Sequence, residues 1–99
     1  MKKQYDDNNV FAKILREEIP CKKVYENEHA LSFEDINPQA PVHVLVIPKG
    51  KYLSVADFSE NASDIEIVGL IKAIGETSEK LGLNVDGYRI LSNAGTNAN

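Results

Sequence analysis

The chain has 99 residues, one domain's worth and enough for a modest core. With 42% hydrophobic residues and a net charge of −4, its composition excludes a disordered polymer and disfavours nucleic-acid or anionic-membrane partners, which select basic faces. One cysteine, Cys21, excludes an internal disulfide and a paired-cysteine zinc site; with no spanning apolar run and no signal-peptide pattern, a cytoplasmic protein is expected.

Residues 1–9 are polar and read as a flexible N-terminus ahead of a folded domain over 10–99. Asn9 is placed to cap a short helix, in which Phe11, Ile14 and Leu15 make one apolar stripe. Pro20 ends that helix near Ile19, because a residue before proline disfavours helical backbone. Residues 22–26 and 30–34 read as a hairpin about Asn27-Glu28, with Val24 inward and Leu31 and Phe33 sharing a face. Asp35-Ile36-Asn37-Pro38 is a turn-forming run. It leads to Val-His-Val-Leu-Val-Ile, residues 42–47, bounded by Pro41 and Pro48. Apolar on both faces except for His43, this strand is expected at the centre of the sheet and covered on both sides.

Residues 52–63 read as a loop with an apolar patch at Leu53, Val55 and Phe58. Ser63 is placed to cap a long helix, with Asp64 and Glu66 in its first turn. Ile67, Leu70, Ile71, Ile74, Ser78 and Leu81 trace the apolar stripe of that helix. Gly69 and Gly75 weaken it and are expected to mark close packing, and Gly82 stands where a left-handed C-cap belongs. Residues 88–92 read as a fourth strand ending in Asn93-Ala94-Gly95. The pattern predicts an α+β domain, with an antiparallel meander sheet, one short helix and one long helix.

Four blocks in order carry a resemblance. They are Phe11-Ala12-Lys13-Ile14 with Glu18-Ile19-Pro20, then Phe33 to Lys49, then Leu81-Gly82-Leu83, then Gly87-Tyr88-Arg89 with Asn93-Ala94-Gly95. Together they resemble the histidine-triad (HIT) superfamily, most closely its Hint-like branch of purine nucleoside phosphoramidate hydrolases. The resemblance implies a five-stranded sheet, a homodimer, no metal and no organic cofactor. It also implies a His-x-His-x-His run after the Asn-Gly turn. The sequence contains two histidines, His29 and His43, and no such run. The expectation is therefore a domain truncated before its triad strand, with the nucleophile beyond Asn99.

The resemblance assigns roles residue by residue. Asp35 matches the carboxylate that accepts from the ribose hydroxyls, a task suited to two oxygens facing two adjacent donors. Ile19, Phe33 and Ile36 match the walls of the base pocket, where a flat apolar slot takes either purine. Asn93 and Gly95 match the polar turn that faces the phosphate. His43 matches a histidine beside the triad, in the catalytic hydrogen-bond network. Taken singly, Asp35 also reads as a turn residue, Ile19, Phe33 and Ile36 as core, and His43 as a structural strand histidine. His29 matches nothing and reads as solvated.

The implied activity is hydrolysis of purine nucleoside phosphoramidates of the AMP-lysine type, through an AMP-histidine intermediate. The ligand would be AMP or GMP. The chain as given is expected to be inactive. Two alternatives stay open: a catalytically inactive nucleotide- or partner-binding module, and a dinucleoside-polyphosphate hydrolase of the same superfamily.

Overall fold

The structure is a computed structural model that describes residues 4–36, 38 and 40–94. Its first helix, α1 (Val10–Leu15), is capped by Asn9, whose side chain accepts from the Ala12 N–H at 2.8 Å. The chain leaves α1 through Glu17, which takes a left-handed φ of +63°. The Glu17 and Glu18 N–H groups close onto the Ile14 and Lys13 carbonyls at 3.0 and 2.8 Å, so the last helical carbonyls find partners.

Strands β1 (Lys23–Glu26), β2 (Ala30–Glu34) and β3 (Val44–Pro48) form an antiparallel sheet in the order β1-β2-β3. Asn27 makes the first hairpin, its side-chain oxygen accepting from the His29 and Ala30 N–H groups at 2.8 and 2.9 Å. An irregularity between Lys23 and Tyr25 interrupts the β1–β2 ladder. The β2–β3 ladder is regular and opposes Ala30 to Pro48, Phe33 to Leu45 and Glu34 to Val44.

The sheet departs from the sequence expectation in two ways. The central strand is β2, not the Val-rich run: every residue of β3 is half-buried, whereas four of the five in β2 are buried. The cause lies in β2's small side chains, Ala30 and Ser32, which let a helix approach closely on one face while Leu31 and Phe33 fill the other. Residues 88–92 form no strand, and Tyr88, Ile90 and Leu91 are exposed. An extended segment becomes a strand only where a neighbour takes its hydrogen bonds, and none of the described residues does so.

A third correction concerns residues 52–63. They hold a helix, α2 (Val55–Asn61), capped by Ser54 through the Asp57 N–H at 3.1 Å. Asp57 answers by accepting from the Leu53 N–H at 2.7 Å, and Phe58 is buried edge-on against Tyr52. Seven residues are too few to show a helical period, so only the caps marked it.

The long helix α3 (Asp64–Lys80) starts as expected, with a complete capping box between Ser63 and Glu66. Glu66 also accepts from the Tyr52 hydroxyl at 2.8 Å. The Ser63 backbone N–H, then the Tyr52 and Ser63 hydroxyls, hold its carboxyl below the usual range. The buried stripe of α3 is offset from the expected one. It runs Gly69–Ala73–Thr77 with Ser78, whereas Ile71 is exposed. Small residues win this face because they allow close approach to Ala30 and Ser32, and the Thr77 hydroxyl donates to Ser32 Oγ at 2.8 Å.

Two further bonds pin α3: Asn27 Nδ2 donates to the Gly69 carbonyl at 2.9 Å and Lys80 Nζ donates to the Val24 carbonyl at 2.6 Å. A Cβ at Gly69 would lie 2.8 Å from His29 Cβ, so His29 is packed against the helix rather than solvated, and Gly69 marks close packing. Gly75 does not, since a Cβ there meets nothing within 4 Å. Gly82 adopts the expected left-handed φ of +70° and leads into α4 (Leu83–Asp86).

Candidate functional site

The regular β2–β3 ladder builds the site. Beyond the rung Glu34–Val44, the next residues are Asp35 and His43, and the Asp35 N–H donates to the His43 carbonyl at 3.0 Å. Directly opposed residues of an antiparallel pair project to the same face, with Cβ atoms about 5 Å apart. Asp35 and His43 therefore lie side by side, and alternation puts Phe33 and Leu45 on the same face one step along. His43 Nε2 is 3.5 Å from Asp35 Oδ2, and these side chains are 29% and 19% exposed.

Phe33 is buried, with Phe11 of α1 tilted against it at 6.4 Å between ring centres. Helix α1 thus covers this face beside the Asp35–His43 pair. A cavity of about 450 Å³ opens next to it, lined by Pro20, Cys21, Lys22, Glu34, Asp35 and Ile36. Lys22 is the one basic residue of that lining. Ile36 is 82% exposed, an aliphatic wall standing in solvent. Ile19 is half-buried and directly precedes Pro20.

A smaller cavity, about 260 Å³, lies over Leu31 and Ile14 with a charged rim of Glu17, Lys23, Glu26 and Lys49. Lys49 at 2.7 Å and Lys23 at 3.2 Å hold the Glu26 carboxyl below the usual range. The Lys49 and Lys23 ammonium groups are both engaged with Glu26.

The HIT domain family matches residues 16–99. The chain belongs to the HIT family. It is 63% identical over 99 residues to an uncharacterised 13.2 kDa HIT-like protein of Azospirillum brasilense, covering all of this chain and 81% of that one. Among solved structures it is similar to a HIT family hydrolase from Clostridium thermocellum. The TM-score is 0.83 at 39% identity, over 94% of this chain and 80% of that one. A histidine triad nucleotide-binding protein from Candida albicans superposes with a TM-score of 0.78 at 30% identity, over 90% of this chain and 64% of that one.

Within this HIT domain, Asp35, His43 and Phe33 are brought together on one sheet face, and Ile36 and Asp35 share the cavity wall. Asn93 is exposed, lies outside any helix or strand, and hydrogen-bonds to none of the described residues. Gly95 lies outside the described residues, as do Asn37 and residues 96–99. Sequence reasoning missed Phe11 and Lys22 as parts of this neighbourhood. Phe11 was visible only as a helix-stripe residue, and Lys22 only as the start of a strand. No local signal ties either to Asp35 before the hairpin register is known.

Proposed function

We propose that this HIT protein binds a purine nucleotide and belongs to a hydrolase of nucleoside phosphoramidates, the AMP-lysine type of substrate. The observation that carries the reading is the cross-strand Asp35–His43 pair beside Phe33, opening on a cavity large enough for a nucleoside. The Clostridium thermocellum hydrolase and the Candida albicans nucleotide-binding protein support it as structural relatives.

In this reading the Asp35 carboxylate accepts from both ribose hydroxyls, and Ile19 and Ile36 offer apolar surface to the base; Phe33, matched to the same pocket, is buried under Phe11 and backs the site from within. Asn93 and Gly95 serve the phosphate. A histidine nitrogen attacks the α-phosphorus, the P–N bond breaks, and the amine leaves carrying a proton. Water then attacks the phosphorus of AMP-histidine, releasing AMP and the free imidazole. His29 packs against Gly69 on the helix side and His43 is engaged with Asp35, so neither is placed as that nucleophile. Functional assembly is a homodimer in the cytoplasm.

The second reading is a nucleotide- or partner-binding module without catalysis. Two measurements decide. Asp35→Asn should weaken AMP binding by about 1.5–3 kcal/mol with folding intact, because it removes a charged acceptor; an unchanged dissociation constant would leave Asp35 a turn residue only. Residues 1–99 should show no phosphoramidase turnover above background, and an extended chain bearing a His-x-His-x-His strand should show it. Turnover by the short chain that survives His43→Ala would displace this assignment of the site.

A further inference from the structure

An apolar slot walled by Ile19 and Ile36 would take either purine, because adenine and guanine differ in their edges and hardly in their faces. The cavity of about 450 Å³ also carries two charged side chains, Lys22 and Glu34, that have no task so far. The β1–β2 ladder fixes how they stand. Lys23 opposes Phe33, so the next rung opposes Lys22 to Glu34, and the Glu34 N–H donates to the Lys22 carbonyl at 3.0 Å. Directly opposed residues project to one face with Cβ atoms about 5 Å apart. Both residues are exposed, and among the described residues neither is held in an ion pair. An ammonium and a carboxylate therefore stand near each other on the cavity wall without being locked together.

Alternation sends Glu34 and Asp35 to opposite faces, and both line the cavity because it opens where β2 ends. Ile36, two residues on from Glu34, lines it too. A nucleotide fits that division, with its ribose toward Asp35 and its base toward Ile36 and the Lys22–Glu34 rung. The edges then decide which base. A carboxylate accepts and cannot donate, and an ammonium donates and cannot accept. Guanine presents O6, N1–H and the N2 amine in a row, one acceptor followed by two donors. Glu34 can accept from both N–H groups at once, a bidentate and charge-assisted pairing, while the Lys22 ammonium donates to O6. Adenine presents its N6 amine beside N1, one donor and one acceptor. Glu34 can take only the amine there, and its second oxygen meets the N1 lone pair.

We propose that the Lys22–Glu34 rung reads the edge of the base and makes guanine the preferred purine, with Glu34 the specificity-determining residue. This rests on the reading that a purine nucleotide occupies this cavity. Apolar walls supply affinity for any purine, and the rung adds the choice between them. A site built to pair with two donors rejects the base that lacks one of them, because a polar partner is then left unmet.

The experiment measures GMP, IMP and AMP binding by calorimetry on the parent chain, Glu34→Gln and Lys22→Met, each variant checked for an unchanged denaturation midpoint. The parent is expected to prefer GMP to AMP by roughly tenfold, the worth of a charged hydrogen bond. IMP, which keeps O6 and N1–H and lacks the N2 amine, should fall between them. That order needs no variant, so it tests the proposal even if a substitution unfolds the chain. Glu34→Gln replaces two acceptors by one acceptor and one donor, the complement of the adenine edge. It should abolish the preference for GMP and leave AMP bound at least as well as before. Lys22→Met should weaken GMP and IMP, which carry O6, more than AMP. Equal affinity of the parent for GMP and AMP would overturn the proposal while leaving the nucleotide reading in place. So would a preference for GMP that survives Glu34→Gln, or an equal loss of all three ligands in that variant, which would place Glu34 at the ribose or phosphate. A chain that binds none of the three would overturn the nucleotide reading and this proposal with it.

Discussion

Asp35 illustrates how a residue's role follows from its rung. The sequence around it reads equally as a turn, and the turn reading holds for the backbone, since the chain leaves β2 there. What the ladder adds is the partner: only the β2–β3 register puts His43 opposite Asp35 and Phe33 beside it. The family motif named all three residues, whereas periodicity alone could pair none of them. Glu17 is a second case, visible only in the structure. It stands at the left-handed C′ position of α1, where glycine is usual, with φ at +63°. An L residue pays roughly 1–2 kcal/mol for that conformation. Glu17→Gly should therefore stabilise the fold by up to about 1 kcal/mol, after the greater freedom of glycine in the unfolded chain is subtracted. Urea denaturation measures this, and a loss of stability would show that Glu17's contacts at the charged rim outweigh its backbone strain.

At the scale of elements, strong caps and punctuation were readable and faces were not. Asn9, the Asn27 turn, the Ser63–Glu66 box and Gly82 all act where the sequence places them. The buried face of α3 was misread because hydrophobic periodicity weighs Ile71 above Gly69 and Ala73, while close packing on Ala30 and Ser32 selects small side chains. Strand position was misread for a related reason: β3 looks central by composition, yet β2 is the strand flanked on both sides. The two helix glycines test this account of α3. Both should gain up to about 1 kcal/mol of helix propensity on conversion to alanine. Gly69→Ala forces a Cβ to 2.8 Å from His29 Cβ and should still lose about 1–3 kcal/mol net through overpacking. Gly75→Ala meets nothing within 4 Å and should keep the gain in the monomer. Thermal melts of the two variants in a monomeric Val68→Asp background should move in opposite directions; parallel shifts there would mean that α3 does not press on the hairpin at Gly69.

For the whole molecule, the question is what covers the other side of α3. Val68 is 50% and Ile71 61% exposed, and Ile65 lies exposed on the same side. Single exposed aliphatic residues are ordinary, but these follow one another at i, i+3 and i+6 and run into the bare Gly75. A ridge of branched side chains ending in a glycine fits an identical helix crossing it about a two-fold axis, each ridge passing the other's glycine. A stable dimer needs on the order of 800 Å² from each copy, more than this ridge alone supplies. The exposed Leu81, Val85, Tyr88, Ile90 and Leu91, which follow α3 in the chain, offer further apolar surface. The expected result is a homodimer by sedimentation velocity at micromolar concentration. Val68→Asp should convert it to a monomer without unfolding, because each charge would be buried against its own copy with no partner. Gly75→Ala, neutral or stabilising in the monomer, should weaken the dimer by filling the groove. A parent chain that sediments only as a monomer, or a Val68→Asp variant that remains dimeric, would remove α3 from the interface.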